Sequence, residues 1–324
     1  MSIQRVAGSA AVALVVGAGV FAWVSSGTLL SLLTQAIIYA VFALGVGVLL
    51  RQNGMVSFGH ALFFGCAGYA VGLLLQAQWS AELAMLATLA GMAVVAFVMG
   101  LVIVRVPGVA FGMLTLAIGQ MFFLTASRSR GLTGGADGMN IDWPSTLFGV
   151  SQSVLLKPAN LFLLCWCTLV GVMVLLGLLL NSRFGRITEA VRDNEERARF
   201  IGIRTLLPRA AVYALSAVIT GLAGLLSALN TGFVSPENLH WSLSGVALMM
   251  VVVGGYKALW GPALGAVVYF MAKDFLGDYA THWMAIFGVA LITVIVFSPT
   301  GLAGLLERVV KGKAAVRVHK AHGH

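Results

Sequence analysis

Ionised side chains are scarce in this chain: Asp, Glu, Lys and Arg together make up 10% of its 324 residues, against about 25% in ordinary soluble proteins. Hydrophobic residues fill 60% of it and the mean hydropathy is +0.97. A soluble globular domain is thereby excluded, and an integral membrane protein is indicated. The sequence has no Gly-x-x-x-x-Gly-Lys-[Ser/Thr] loop to cradle a nucleotide's phosphates. Nor has it a hydrophilic block large enough for a second domain, the longest running from 126 to 160. The chain is therefore expected to be no enzyme and to bind no cofactor or metal of its own, so any ATP that drives it is used by another subunit. Cysteine is rare too: Cys66, Cys165 and Cys167 all lie in apolar runs, where thiols behave as small hydrophobes. The Cys-x-Cys at 165 and 167 invites a metal or redox reading, but no further ligands accompany it.

What remains is a series of uncharged apolar stretches near the roughly 20 residues that cross a bilayer. They run over 6–24, 29–50, 58–75, 83–104, 109–125, 161–180, 210–229, 243–256, 258–272 and 283–297. The expected fold is an all-α polytopic helix bundle of about ten transmembrane segments, one membrane domain over 1–324. The first run, preceded by Arg5, has the look of a secretory signal, yet it is longer than the usual h-region of about 7 to 15 residues and is read as a retained helix. The eighth and ninth are short and hold Gly254, Gly255, Gly261 and Pro262, so they are candidates for tilted, broken or re-entrant segments.

If the spans alternate, 16 of the 20 basic residues fall on one side, and only Arg128, Arg130, Lys157 and Lys273 fall on the other. The opposite side also collects Glu82, Asp137, Asp142, Glu237, Asp274 and Asp278. The positive-inside rule then puts both termini and the loop 181–209 in the cytoplasm. The formal net charge of +9 is in this light a topology signal and not a nucleic-acid footprint.

Thirty-nine glycines, several at helical spacing with other small residues (Gly68 and Gly72, Gly261 and Gly265, Ala217 and Gly221), permit close helix packing. The non-cytoplasmic loop 126–160 contains a Gly-rich run followed by Trp143-Pro144. It reads either as an ordered cap over the outer mouth, with Trp143 at headgroup level, or as a mere connection. The basic tail 306–324 ends in His319, His322 and His324 and reads as solvated.

Loop 181–209 concentrates 7 of the 20 basic and 4 of the 11 acidic residues. At 100° per residue, Ile187, Ala190, Val191, Asn194, Ala198 and Ile201 share one face, with Glu189, Arg192, Glu196 and Arg199 opposite. Asp193 and Arg197, like Glu195 and Arg199, stand at i and i+4 with the acid first, and Pro208 stops any continuation. A short amphipathic cytoplasmic helix over 187–201 is predicted. Its mixed charges suit a protein groove better than an anionic lipid surface.

The run from Glu189 to Ile203 resembles the EAA-type coupling loop of bacterial ABC-importer permeases, in the version of LivM-type branched-chain amino acid permeases. Three other stretches are similar to the same family: Ser57 to Gly65, Leu132 to Gly138, and Gly232 to Glu237 with Val253 to Gly255 and Leu259 to Pro262. Tyr256-Lys257, where a small uncharged turn is expected, is the departure. The resemblance implies a multi-pass permease of the bacterial inner membrane. It would pair with a second related permease, two cytoplasmic ATPase subunits and a periplasmic binding protein. Glu189, Ala190, Asn194, Arg197 and Gly202 match the coupling pattern, Glu189 facing the ATPase and Gly202 turning the chain back to the membrane.

The spans carry no Asp, Glu, Lys or Arg away from their edges and only His60 among histidines, which disfavours a proton relay. Uncharged polar residues in or near them, namely Asn53, Ser57, His60, Thr115, Gln120, Ser216, Thr220, Ser227 and Asn230, are candidates to line the substrate path or to join helices. A partly apolar, uncharged route suits branched-chain amino acids. Urea, amides, aromatic acids or sugars are the alternatives within the superfamily, and an autonomous channel or secondary carrier for a small neutral solute is the alternative of another class.

Overall fold

The computed structural model of the protein describes residues 27–277 apart from 145 and 148, residues 300–305 and a few isolated positions. The expected spans 6–24 and 283–297, both termini and the basic tail lie outside the described residues. Between them the chain is helical: Gly27–Asn53 (α1), His60–Gln76 (α2), Ala81–Ile103 (α3), Gly108–Arg128 (α4), Pro158–Asn181 (α5), Arg183–Asp193 (α6), Glu195–Phe200 (α7), Leu206–Thr231 (α8), Trp241–Gly254 (α9) and Gly261–Gly277 (α10). Each apolar stretch from the second to the ninth coincides with one of these helices. Five of them, α1, α3, α4, α5 and α8, are long and apolar enough to cross a membrane.

The core is built around α1 and α8, both buried along most of their length. α8 packs against α1, α2 and α3, and α1 also meets α5, α9 and α10. Aromatic rings fill the joints: Tyr39, Phe42, Phe64 and Phe270 form one cluster, and in another Phe63 and Tyr213 flank His60 while Phe111 packs on Tyr213. By contrast α3 and α4 turn long rows of Leu, Val and Met outward. Such rows face hydrocarbon at no cost, because lipid tails are as apolar as the side chains.

α9 is a short helix, and α10 is described as far as Gly277. The 14 residues of α9 rise about 21 Å, less than the roughly 30 Å hydrocarbon thickness. A 3₁₀ turn at Pro236–Leu239 prolongs α9 on its outer side. The two helices cross where Gly254 meets Gly261 and Gly265 backbone to backbone, and Gly301 lies against Gly255 at the same place.

The segment between α4 and α5 is an ordered cap, not a slack connection. Its strand Met139–Asn140 (β1) pairs antiparallel with Phe233–Val234 just after α8, while Thr146–Leu147 pairs with Val150–Ser151. The Ile141 amide donates to Gly232 O at 2.8 Å, extending the first pair. Gly138 holds φ 76° with the Val234 carbonyl where a Cβ would stand, so glycine is required there. Trp143, read as a headgroup-level residue, is packed inside the protein. It is 7% exposed and its indole donates to Ala228 O at 3.4 Å, because the strand pairing draws it inward.

Candidate functional site

The charged segment after α5 differs from its sequence reading in one respect that matters. It is two helices, not one, because Asn194 takes an extended conformation (φ −159°, ψ 103°) and caps α7, its Oδ1 accepting from the Arg197 amide at 2.9 Å. With the helix interrupted, the Asp193 to Arg197 pair does not form; Asp193 binds its neighbour Arg192 at 2.7 Å instead. Pro208 also plays the opposite part to the one expected. It sits in the first turn of α8, where its missing N–H costs nothing, and so helps to start a helix.

Burial follows a different stripe from the helical wheel. Gly185, Thr188, Val191 and Ala198 turn inward, while Ile187, Ala190, Asn194 and Ile201 are exposed. Arg192, assigned to the solvent face, is half-buried: its Nη1 donates to Arg51 O at 2.6 Å, at the end of α1. Beside it Thr188 Oγ1 donates to Gln52 Oε1 at 2.7 Å, and both side chains are buried. From the other flank, Asn53 Nδ2 donates to Arg209 O at 3.0 Å, at the start of α8. Three successive residues at the end of α1 thus receive the charged segment and its exit. These carbonyl and amide groups would otherwise be unpaired at a helix terminus.

A second clasp closes the segment on itself. Glu195 accepts from Arg199 Nη2 and Arg209 Nη1, each at 2.6 Å, and from Thr205 Oγ1 at 2.9 Å. Partial burial pushes its carboxyl up, but the Thr205 hydroxyl and the Arg209 and Arg199 guanidiniums outweigh this and hold it below the usual value of 4.5. Gly202, at φ 82°, makes the turn that follows α7.

With its inner face fixed, the segment offers an outer face. Glu189 is 59% exposed, Phe200 89% and Ile201 76%, with Ala190, Glu196 and Arg197 also exposed between α6 and α7. An exposed Phe-Ile pair among charges, braced from behind, has the character of a docking surface. Sequence reasoning did not single out Phe200, Thr188, Gln52 or Thr205. Asn194 followed by Glu195 and Glu196 was a legible N-cap signal, whereas the Gln52 to Thr188 pair spans positions far apart in the chain and leaves no local trace.

The candidate path residues fall into two groups. Seven lie within or beside the buried helix junctions. Ser216 Oγ donates to Gly45 O at 2.6 Å and so accepts from His60 Nε2 at 2.6 Å; His60 Nδ1 then accepts from Ser57 Oγ at 2.8 Å, and Ser57 accepts from the Gly59 amide at 3.3 Å. This chain pins α1, α2 and α8 together around a neutral imidazole, with every hydrogen assigned. Thr115 Oγ1 accepts from the Phe58 amide at 3.3 Å, Thr220 is buried against Gly45, and Asn53 and Gln120 are fully and partly buried at helix ends or faces. Ser227 and Asn230 differ, because they open into a cavity of about 230 Å³ between α1, the end of α8 and α10. Asn230 also borders a second cavity of about 320 Å³. Cys165 is buried and Cys167 exposed on the same helix, so the Cys-x-Cys pair does not converge on one ligand.

Comparisons with known proteins agree with this architecture. Residues 28–297 match the family described as branched-chain amino acid transport system / permease component. The chain is 25% identical to the high-affinity branched-chain amino acid transport system permease protein LivM of Escherichia coli over 312 residues, covering 90% of this chain and 73% of the relative. Against the LivM of Salmonella typhimurium the identity is 25% over 303 residues, 87% of this chain and 71% of the relative. It is 29% identical to the autoinducer 2 import system permease protein LsrC of Salmonella typhi over 258 residues, 78% of this chain and 70% of the relative. No solved structure matches.

Proposed function

Because the chain belongs to the branched-chain amino acid transport system permease family, whose members are multi-pass inner-membrane proteins, we propose that it carries branched-chain or related amino acids inward as one permease of an ABC importer. In this reading it pairs with a second, related permease. Two cytoplasmic ATPase subunits dock on α6 and α7 and supply the ATP chemistry, and a periplasmic binding protein delivers substrate at the capped end. The observation that carries the reading is the two-sided build of the 183–202 segment. Its outer face presents Glu189, Ala190, Phe200 and Ile201, and its inner face is hydrogen-bonded to the end of the central helix. A push on the outer face therefore reaches the bundle through α1 as well as through the covalent links to α5 and α8.

Ten spans with both termini cytoplasmic belong to the same proposal, as the distribution of basic residues requires. An impermeant thiol reagent applied to intact cells should label cysteines placed at 137 or 237 and spare one placed at 192. The reverse pattern overturns the orientation.

The functional test is uptake of labelled leucine by cells that express the complete transporter. Glu189→Arg and Ala190→Arg add charge and bulk to the docking face and remove neither the Thr188 nor the Arg192 side chain of the brace, although Glu189→Arg gives up a 3.9 Å pairing with Arg192; both variants should reach normal membrane abundance. They should nevertheless lose uptake and fail to retain the ATPase in pull-down. Wild-type behaviour in both assays would remove the segment from coupling. The similarity to LsrC supports a second reading, in which the solute is more polar; competition of leucine uptake by autoinducer 2, or transport of the latter alone, decides between them. Concentrative uptake by the lone chain in liposomes would favour an autonomous carrier instead.

A further inference from the structure

We propose that the 230 Å³ cavity between α1, the end of α8 and α10 is a carboxylate-binding vestibule in which Lys273 fixes the acid group of the incoming solute. The inference rests on the amino-acid reading above for its placement on the substrate route. The cavity is walled by α1, the end of α8, the segment after Phe233 and α10, the last of which contributes Lys273 and Phe270. Its polar lining is rich in donors. The side chains of Gln35, Asn230 and Asn238 bring amide N–H groups, Ser227 and Ser235 bring hydroxyls, and Lys273 brings a full positive charge. No acidic residue is among the lining residues.

Among the described residues those five uncharged polar side chains form no hydrogen bond within the protein, although all are half-buried. None of the five is shut off from water, so each keeps its hydrogen-bonding capacity free on the cavity side. Their convergence on one cavity is thus explained by a partner that enters it: water at rest, and a solute in passage. The cation selects the solute's chemistry. Lys273 Nζ stands 5.8 Å from the centre of the Phe270 ring, an arrangement that keeps the ammonium at the cavity's rim. Charge-assisted bonds from an ammonium and neighbouring amides suit the two oxygens of a carboxylate. The amide oxygens of the same side chains are left to accept from an α-ammonium. An aliphatic tail also has a place close by, since the 320 Å³ cavity that shares Asn230 and Thr231 is bordered by Ile141, Leu156, Leu161 and Leu229.

The test uses the assembled transporter in intact cells. With a cysteine at position 235, a negatively charged methanethiosulfonate should react about tenfold faster than a positively charged one, and Lys273→Ala should abolish the preference. Isovalerate and leucine should protect the cysteine while leucinamide does not. In uptake, Lys273→Ala should raise KM for leucine about tenfold with little change in maximal rate, and Lys273→Arg should restore most of it, as expected when one charge-assisted bond is removed and replaced. Equal labelling by the two reagents overturns the site. So does a charge preference without carboxylate protection, which would assign Lys273 to lipid phosphate, and so does an unchanged KM in a transporting Lys273→Ala cell. If the wild type fails to import leucine yet isovalerate still protects, the vestibule stands and the amino-acid reading falls.

Discussion

Thr188→Val tests whether the brace at the end of α1 transmits motion. The substitution keeps the side chain's shape and removes the hydroxyl that lies 2.7 Å from Gln52 Oε1. Gln52 is 4% exposed, so water has little access to replace the lost donor. A buried acceptor left unpaired costs about 1–3 kcal/mol, equivalent to a roughly 5- to 150-fold shift between braced and unbraced arrangements of α6. The exposed face proposed to meet the ATPase is untouched, so pull-down of that subunit should remain at the wild-type level while leucine uptake falls at least fivefold and ATP hydrolysis runs without transport. Replacing both partners by apolar groups, as in Gln52→Leu with Thr188→Val, removes the orphaned acceptor and should restore part of the uptake, since matched apolar replacement is close to neutral. Wild-type uptake in Thr188→Val, or a double variant no better than the single one, would refute the transmission argument.

Two further outcomes are expected. Glu195 has a carboxyl held below its usual value in the folded protein, so the clasp it makes with Arg199, Arg209 and Thr205 is present above pH 4.5 and is lost as pH falls through the lowered value; tryptic cleavage after Arg199 or Arg204, assayed after brief acid exposure of membrane vesicles, should rise on acidification in the wild type and be high throughout in Glu195→Gln. Gly138→Val places a branched side chain at φ 76° against the Val234 carbonyl, at a cost of about 2–3 kcal/mol; pulse proteolysis of the cap should accelerate and uptake should fall, whereas Gly131→Ala, a helical position of the same segment with open space around it, should leave uptake within twofold.

Hydropathy made the helices legible because a span's signal is additive: a run such as 161–180 cannot be anything but membrane-facing or core. The end of the charged segment was less legible. Its alternating charges fit a continuous helix about as well as two short ones, and the choice was made by Asn194, whose side chain competes with the backbone for the Arg197 amide. Helical-wheel reasoning also assumed that apolar residues face inward. Here Ile187 and Ile201 face outward while Arg192 turns in, because the end of α1 offers carbonyls that a guanidinium satisfies and an isoleucine does not. The polar residues proposed for the path were found as a class, yet their division into junction pins such as His60 and cavity groups such as Asn230 depends on long-range packing. Lys273 was counted for topology alone, since one lysine near a helix end carries no sequence mark of the cavity beside it.

The crossing of α9 and α10 lacks any cushion of side chains. Where Gly254, Gly261 and Gly265 meet, the next atoms are carbonyls and amides of the opposite strand of chain, and main-chain atoms do not change rotamer to let a neighbour slide. The joint has no slack, so the two helices must travel as a single lever. Rotation during a transport cycle has to be taken up at surfaces lined by side chains, such as that between this lever and α1, where Tyr39 and Phe270 can roll over one another.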